Sequence, residues 1–216
     1  MCYKIGAICC LFLGFAFSQG NGKGAIDIDG NRYKSIVLGN QEWFTKNLHV
    51  SRFNNGDSIS FVDNDSDWEN IELPAYWYSS SSKKYRKEGS LYNWYVVNDI
   101  RNVCPKGWHV PDDSEWTVLI NFLGGSNKAG EILKNKKTFF SENKRIKINF
   151  NANLNGYKAF DGEFCDYGVK SSWWTSSENV SNTAWNRFVY SNSKSVFRDD
   201  EIKQSGLSIR CVKNKK

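Results

Sequence analysis

The chain has 216 residues, with 29 Lys+Arg against 23 Asp+Glu and a formal net charge of +6. Aromatic residues make up 15% of it, nine of them Trp, which excludes intrinsic disorder and argues against a coiled coil or helical bundle. A mean hydropathy of -0.58 excludes a polytopic membrane protein and leaves one compact, aromatic-cored domain.

The N-terminus reads as a secretory signal over residues 1–18. Lys4 supplies the positive start, and Ile5 to Phe17 is an apolar run too short to span a bilayer comfortably. Ala16 and Ser18 are the small residues a cleavage before Gln19 needs. A lipoprotein anchor needs small residues directly before a Cys, and Ile8 before Cys9 does not supply them. Residues 19–24 read as a Gly-rich linker, residues 25–213 as the domain and residues 214–216 as a basic tail. The cationic clusters (Lys83, Lys84, Arg86, Lys87; Lys134, Lys136, Lys137) carry no nucleic-acid motif and read as solvated loops.

Export places the mature chain in an oxidising compartment, where disulfides persist. Cys104, Cys165 and Cys211 remain after cleavage, so one thiol stays free or pairs elsewhere. Cys104 precedes the main helix and Cys211 lies in the last strand, so a Cys104–Cys211 disulfide is expected. It would close a loop of about 100 residues, worth roughly 4–5 kcal/mol in the chain-entropy picture. With no CxxC or Cys/His cluster, zinc is not expected.

In chain order, the turn Asp29-Gly30-Asn31 predicts a hairpin between strands on either side, the second being Tyr33 to Leu38. Gly39-Asn40 turns the chain into a further strand, Gln41 to Phe44. Asn54 to Ser82 is a long polar loop carrying Trp68, Tyr76, Trp77 and Tyr78. Leu91 to Val97 returns to the core. Asp112 or Asp113 caps a helix, with Glu115 placed for a capping box and Trp116, Leu119, Ile120 and Leu123 on one buried face. Gly124-Gly125 ends it, and a second short helix follows over about Lys128 to Lys134. Strands are predicted at Ser172 to Ser177, Ala184 to Tyr190, Ser195 to Arg198 and Leu207 to Lys213. In the last, Leu207, Ile209 and Cys211 face opposite Ser208 and Arg210. The class is α+β: short twisted antiparallel strands, one main and one minor helix, and long loops.

Several words then recur in a recognisable order: Asp29-Gly30-Asn31-x-Tyr33, Gly39-Asn40-Gln41-x-Trp43, Lys46-Asn47-Leu48, Leu91-Tyr92-Asn93-Trp94, Cys104-Pro105-Lys106-Gly107-Trp108-His109-Val110-Pro111, Glu115-Trp116, Trp173-Trp174-x-Ser176-Ser177-Glu178 and Ile209-Arg210-Cys211-Val212. This pattern resembles the Fibrobacter succinogenes major paralogous domain, over about Ala25 to Lys213. The resemblance implies an exported or surface protein of Bacteroidota or Fibrobacteres. It also implies a C-type-lectin-like fold, related in architecture to formylglycine-generating enzymes. It implies no catalytic residues. Asn155 stands where the family often has a Gly, and Cys165 is an addition to the pattern.

No catalytic constellation emerges. His109, between Trp108 and Val110, reads as a hydrogen-bonded His orienting the helix start rather than a general base. Cys165 has acidic and apolar neighbours, which raise a thiol pKa rather than activate it; it reads as a free thiol or an alternative disulfide partner. No cofactor is expected, and calcium is the one metal worth weighing. Asp63, Asp65 and Asp67 alternate as in a calcium loop, but Trp68 and Pro74 occupy the positions where Gly and Glu are needed. Asp27, Asp29 and Asn31 alternate too, and the hairpin turn accounts for them.

Trp43, Trp94, Trp108, Trp116 and Trp174 read as core. Tyr76, Trp77 and Tyr78 are consecutive in a loop and cannot all point inward. With Trp173 and Trp185 they are the candidate ligand-binding residues, because exposed rings stack on sugars and anchor interfaces. The expected function is an exported, non-enzymatic binding or adhesion module for a glycan or surface protein. It has no nucleic-acid partner and no membrane span after signal cleavage. The alternatives are a surface enzyme related in fold to formylglycine-generating enzymes, and a structural surface component without a small ligand.

Overall fold

The computed structural model describes residues 21–78, 88–134, 138–141 and 144–215. The expected signal sequence over 1–18 lies outside the described residues, as do Ser79–Ser82 of the long loop and the cluster Lys83, Lys84, Arg86 and Lys87.

The strands are β1 (Asn21–Ile26), β2 (Arg32–Leu38), β3 (Gln41–Phe44), β4 (Ser60–Phe61), β5 (Ala75–Trp77), β6 (Leu91–Tyr92) and β7 (Trp108–His109). Then come β8 (Thr138–Ser141), β9 (Lys144–Lys147), β10 (Asn155–Lys158), β11 (Phe164–Tyr167), β12 (Lys170–Val180), β13 (Thr183–Tyr190), β14 (Phe197–Ile202) and β15 (Val212–Lys213). The helices are α1 (Asp65–Glu69), α2 (Trp94–Val97), α3 (Asp113–Phe122) and α4 (Ser126–Lys134). The described chain is thus mostly β, in curled antiparallel sheets with few helices.

One five-stranded sheet runs β1-β2-β3-β15-β7 and a second β11-β10-β12-β13-β14. The small sheet β4-β5-β6 and the pair β8-β9 complete the set. The C-terminal β15 lies between β3 and β7, so the chain closes on its N-terminal sheet. The Cys104–Cys211 disulfide forms there, with Cα atoms 6.0 Å apart. Cys165 is a free thiol.

The predicted hairpin is β1–β2, turned at Asp27 to Asn31. Gly30 there has φ 85°, a conformation that costs a residue with a Cβ and costs Gly nothing. Residues 21–24, expected as linker, belong to β1: Asn21 pairs with Ile36 and Gly22 with Ser35. A polar, Gly-rich strand carries no alternation, so composition alone reads it as linker. Asn214, assigned to the tail, is docked through its side chain on His109 and its amide on Gly107.

α3 begins as its sequence dictates. Asp112 accepts from the Glu115 amide, and the Glu115 carboxylate accepts from the Asp112 amide. Trp116, Leu119, Ile120 and Leu123 are buried. They meet Trp43, Phe150 and Trp173 in the main core, where the Trp116 ring lies 4.8 Å from Trp43 and 5.6 Å from Trp173. Burying each such ring removes apolar surface worth roughly 4–6 kcal/mol before ordering costs. A second cluster joins Tyr33, Phe44, Trp108 and the disulfide, a third Trp68, Trp77 and Leu91, and a fourth Trp94, Trp174 and Leu207.

The last segment departs from its expected alternation. Ser208 and Arg210, placed on a polar face, are wholly buried. Ladder pairing as a named strand is confined to β15; upstream of it Ser208 bridges Trp173 of β12, and the Ile209 carbonyl accepts from the Leu48 amide. Likewise the strand expected at Ser195 to Arg198 forms two residues later, as β14. No helix among the described residues is long and apolar enough to cross a membrane.

Candidate functional site

The site is built on the β1–β2 turn. Asp27 sits at its base, buried, and collects four hydrogen bonds: from the Asp29 and Asn31 amides, from Asn31 Nδ2 at 2.9 Å and from the Tyr33 hydroxyl at 2.7 Å. Asn31 Nδ2 also donates to the His49 carbonyl at 2.6 Å, tying the turn to the segment after β3. Asp29 faces the same segment. Its carboxylate accepts from the Ser51 amide at 2.6 Å, the Ser51 hydroxyl at 2.8 Å and Arg52 Nε at 2.6 Å. Burial works against the Asp29 charge, yet these donors outweigh it and hold the carboxyl below the usual carboxylate range.

β5 supplies a further part of the lining. Tyr76 and Trp77 are neighbours on a strand, so they point to opposite faces. Tyr76 packs at 5.4 Å from Phe61 and 6.0 Å from Tyr92. Tyr78 returns to the same side, 5.0 Å from Phe61 and edge-on to His49 at 5.7 Å. Burial, then the nearby Tyr78 and Asp29, raise the Tyr76 phenol pKa and keep it protonated. The His49 ring Nδ1 lies 2.8 Å from Ser90 Oγ. Together Asp29, Asn31, His49, Val50, Ser51, Tyr76, Tyr78 and Ser90 line a cavity of about 290 Å³.

The lining is mostly polar, with the two tyrosines set among hydrogen-bonding groups. A larger cavity, about 440 Å³, is bordered by Lys134, Asn153, Leu154 and Tyr167. Its Lys134 ammonium is already engaged by the carbonyls of Tyr190, Ser191 and Ser193.

The structure brings together two of the five residues singled out in the sequence, Tyr76 and Tyr78. Trp77 is 9% exposed on the other face of β5; its ring lies 5.0 Å from Phe164 and its indole N–H donates to Asp63. Trp173 is 0% exposed, with its indole N–H on Asn47 Oδ1 at 2.9 Å, so it presents no face to a ligand. This corrects its place among the ligand-binding candidates: the Trp173-Trp174 pair is core on both sides of β12. Trp185 is half-buried on β13 and is not among the residues lining the cavity. The Arg198 guanidinium lies 3.3 Å from its ring centroid, while Arg198 and Arg187 both bind Asp113.

The other candidates resolve similarly. His109 is half-buried with its ring nitrogens on Asn214 and Glu115 side chains rather than backbone. Asp65 and Asp67 fall in α1, capped by Asn64, where Asp65 binds Lys158. The alternating triplet therefore does not wrap as a calcium loop. The Cys165 thiol is pushed up by burial and by Glu163 and Asp166.

Sequence reasoning missed Asp29, Asn31, His49, Ser51 and Ser90. Asp27-x-Asp29-x-Asn31 was the available signal. The turn explains its backbone but not why three polar side chains point off one hairpin end.

The family model described as Fibrobacter succinogenes major domain matches residues 36–213. No curated protein and no solved structure matches the chain significantly.

Proposed function

Since this chain belongs to the Fibrobacter succinogenes major domain family, we propose that it is an exported, non-enzymatic binding or adhesion module of the cell surface, of C-type-lectin-like fold, whose glycan or protein ligand docks at the Tyr76–Tyr78 cavity. The observation that carries this reading is the cavity itself: two tilted tyrosine rings lining it together with the hydrogen-bonded Asp29–Ser51 pair and Asn31. The curled sheets and the two helices α3 and α4 fit the fold. The apolar run at Ile5 to Phe17 supports export.

The non-enzymatic part rests on the cysteines and on the histidine outside the cavity. An enzyme of the formylglycine-generating type uses a pair of reactive thiols. Here Cys104 and Cys211 are joined and buried, and Cys165 stands apart with a raised thiol pKa. His109 is held by Glu115 and Asn214. The test is a glycan array and a pull-down with the exported protein, run beside Tyr76→Ala and Tyr78→Ala. Retention of a ligand that both variants lose supports the reading. Retention unchanged in both, or none in the wild type, overturns it.

A further inference from the structure

The lining of the cavity also selects a chemical class. We infer, resting on the binding reading above, that its ligand is a neutral, hydroxyl-rich ring, the terminal residue of an uncharged glycan, and that acidic sugars are rejected.

Size limits the ligand first. About 290 Å³ lies at the small end of small-molecule sites and holds one ring rather than a run of chain. Hydrogen-bonding polarity narrows it further. Asn31 Nδ2 has two acceptors, Asp27 Oδ2 and the His49 carbonyl, which fixes the orientation of the amide. Its Oδ1 is left as an acceptor with no protein partner among the described residues. The Asp29 carboxylate has three donors, and a carboxylate has about four acceptor sites. Asn31 Oδ1 and the spare Asp29 position are therefore open acceptors, and a ligand that matches them brings O–H groups.

Charge points the same way. Among the described residues lining the cavity there is no Lys or Arg. Arg52, whose guanidinium meets Asp29, is engaged by that carboxylate and by the Ile28 carbonyl. Behind the rim, the four hydrogen bonds to Asp27 all come from uncharged donors. A sugar carboxylate or sulfate brings acceptors where acceptors already stand, and negative charge beside Asp29. The chain as a whole carries +6, which attracts anions at long range, so rejection here is a local property. Tyr76 and Tyr78 complete the lining.

The experiment is saturation-transfer NMR of the exported protein with methyl glycosides of glucose, galactose, mannose and N-acetylglucosamine. Glucuronic acid, galacturonic acid and N-acetylneuraminic acid are run beside them. Expected is binding of at least one neutral glycoside, lost in Tyr76→Ala, with every acidic sugar at least about tenfold weaker. Neutral-sugar affinity is also expected to change less than about twofold between low and high salt, a readout needing no variant. Asp29→Asn should narrow the discrimination. An acidic sugar that binds equally well or better, and is lost in Tyr76→Ala, overturns the charge selection while leaving the binding reading intact. Retention of a protein but of no sugar overturns the ligand class and also leaves it intact. No ligand of any kind at the cavity overturns both.

Discussion

Tyr76 and Trp77 are consecutive on β5 and serve opposite faces: Tyr76 stands 6.2 Å from Tyr78 at the cavity, and Trp77 lies 5.0 Å from Phe164 in a buried cluster. Lys158 adds a cation over the Trp77 ring at 4.8 Å. The pair separates stability from binding. Trp77→Ala empties a packed site and should cost about 3–5 kcal/mol in urea unfolding. Tyr76→Ala should cost clearly less and abolish ligand retention. Equal stability losses would place Tyr76 in the core.

Arg210 is the most consequential buried charge. It is wholly enclosed, and burial draws its pKa down to about 9. Its Nε and Nη2 converge on Asn47 Oδ1 at 3.1 and 2.6 Å, while Nη1 donates to the Phe44 and Phe150 carbonyls. Asn47→Ala leaves this guanidinium and the Trp173 indole short of an acceptor. It should destabilise by about 3–5 kcal/mol. Arg210→Met with Asn47→Ala should cost less than the sum of the two single changes, because both break one network. A double-mutant cycle in chemical denaturation reads this directly.

The Cys104–Cys211 bond closes a sequence separation of 107 residues and anchors β15 beside β7. Replacing both with Ser should lower stability by roughly 4–5 kcal/mol. Thiol titration of an unreduced, unfolded chain beginning at Gln19 should return Cys165 alone in the wild type.

The His109 pKa is raised above 6.5, chiefly by its hydrogen bond to Glu115, against burial and with help from Asn214. A group whose folded pKa exceeds its unfolded value stabilises fully below the unfolded pKa. Its charge-dependent contribution is lost as pH rises through the folded value. The stability gap between wild type and His109→Gln should therefore be widest below about pH 6.5 and shrink as the solution becomes alkaline. Thermal midpoints across that range check it; a gap that widens with pH would contradict the assignment.

Much of the scaffold was legible because local signals and tertiary structure agree. Asp112 and Glu115 cap α3 as their spacing demands, Asp29-Gly30-Asn31 turns β1 into β2, and the motif tryptophans are buried. Arg210 and Ser208 were misplaced because alternation tells which residues share a face, not whether the opposite face is also covered. Trp173 was misplaced for the same reason on β12. The cavity was half legible. Tyr76 and Tyr78 announce themselves as adjacent aromatics, whereas Asn31, Ser51 and Ser90 are drawn together from segments up to about sixty residues apart by the Asp27 and Asp29 hydrogen bonds and the fold around them.

The central claim is that ligand binds at the Tyr76–Tyr78 cavity. Backbone amide shift mapping of labelled protein, titrated with a glycoside it retains, tests this most directly. The account predicts shifts centred on Asn31, Ser51, Tyr76, Tyr78 and Ser90, with saturation. Shifts centred instead on Trp185 and Arg198, or none at saturating ligand, would contradict it.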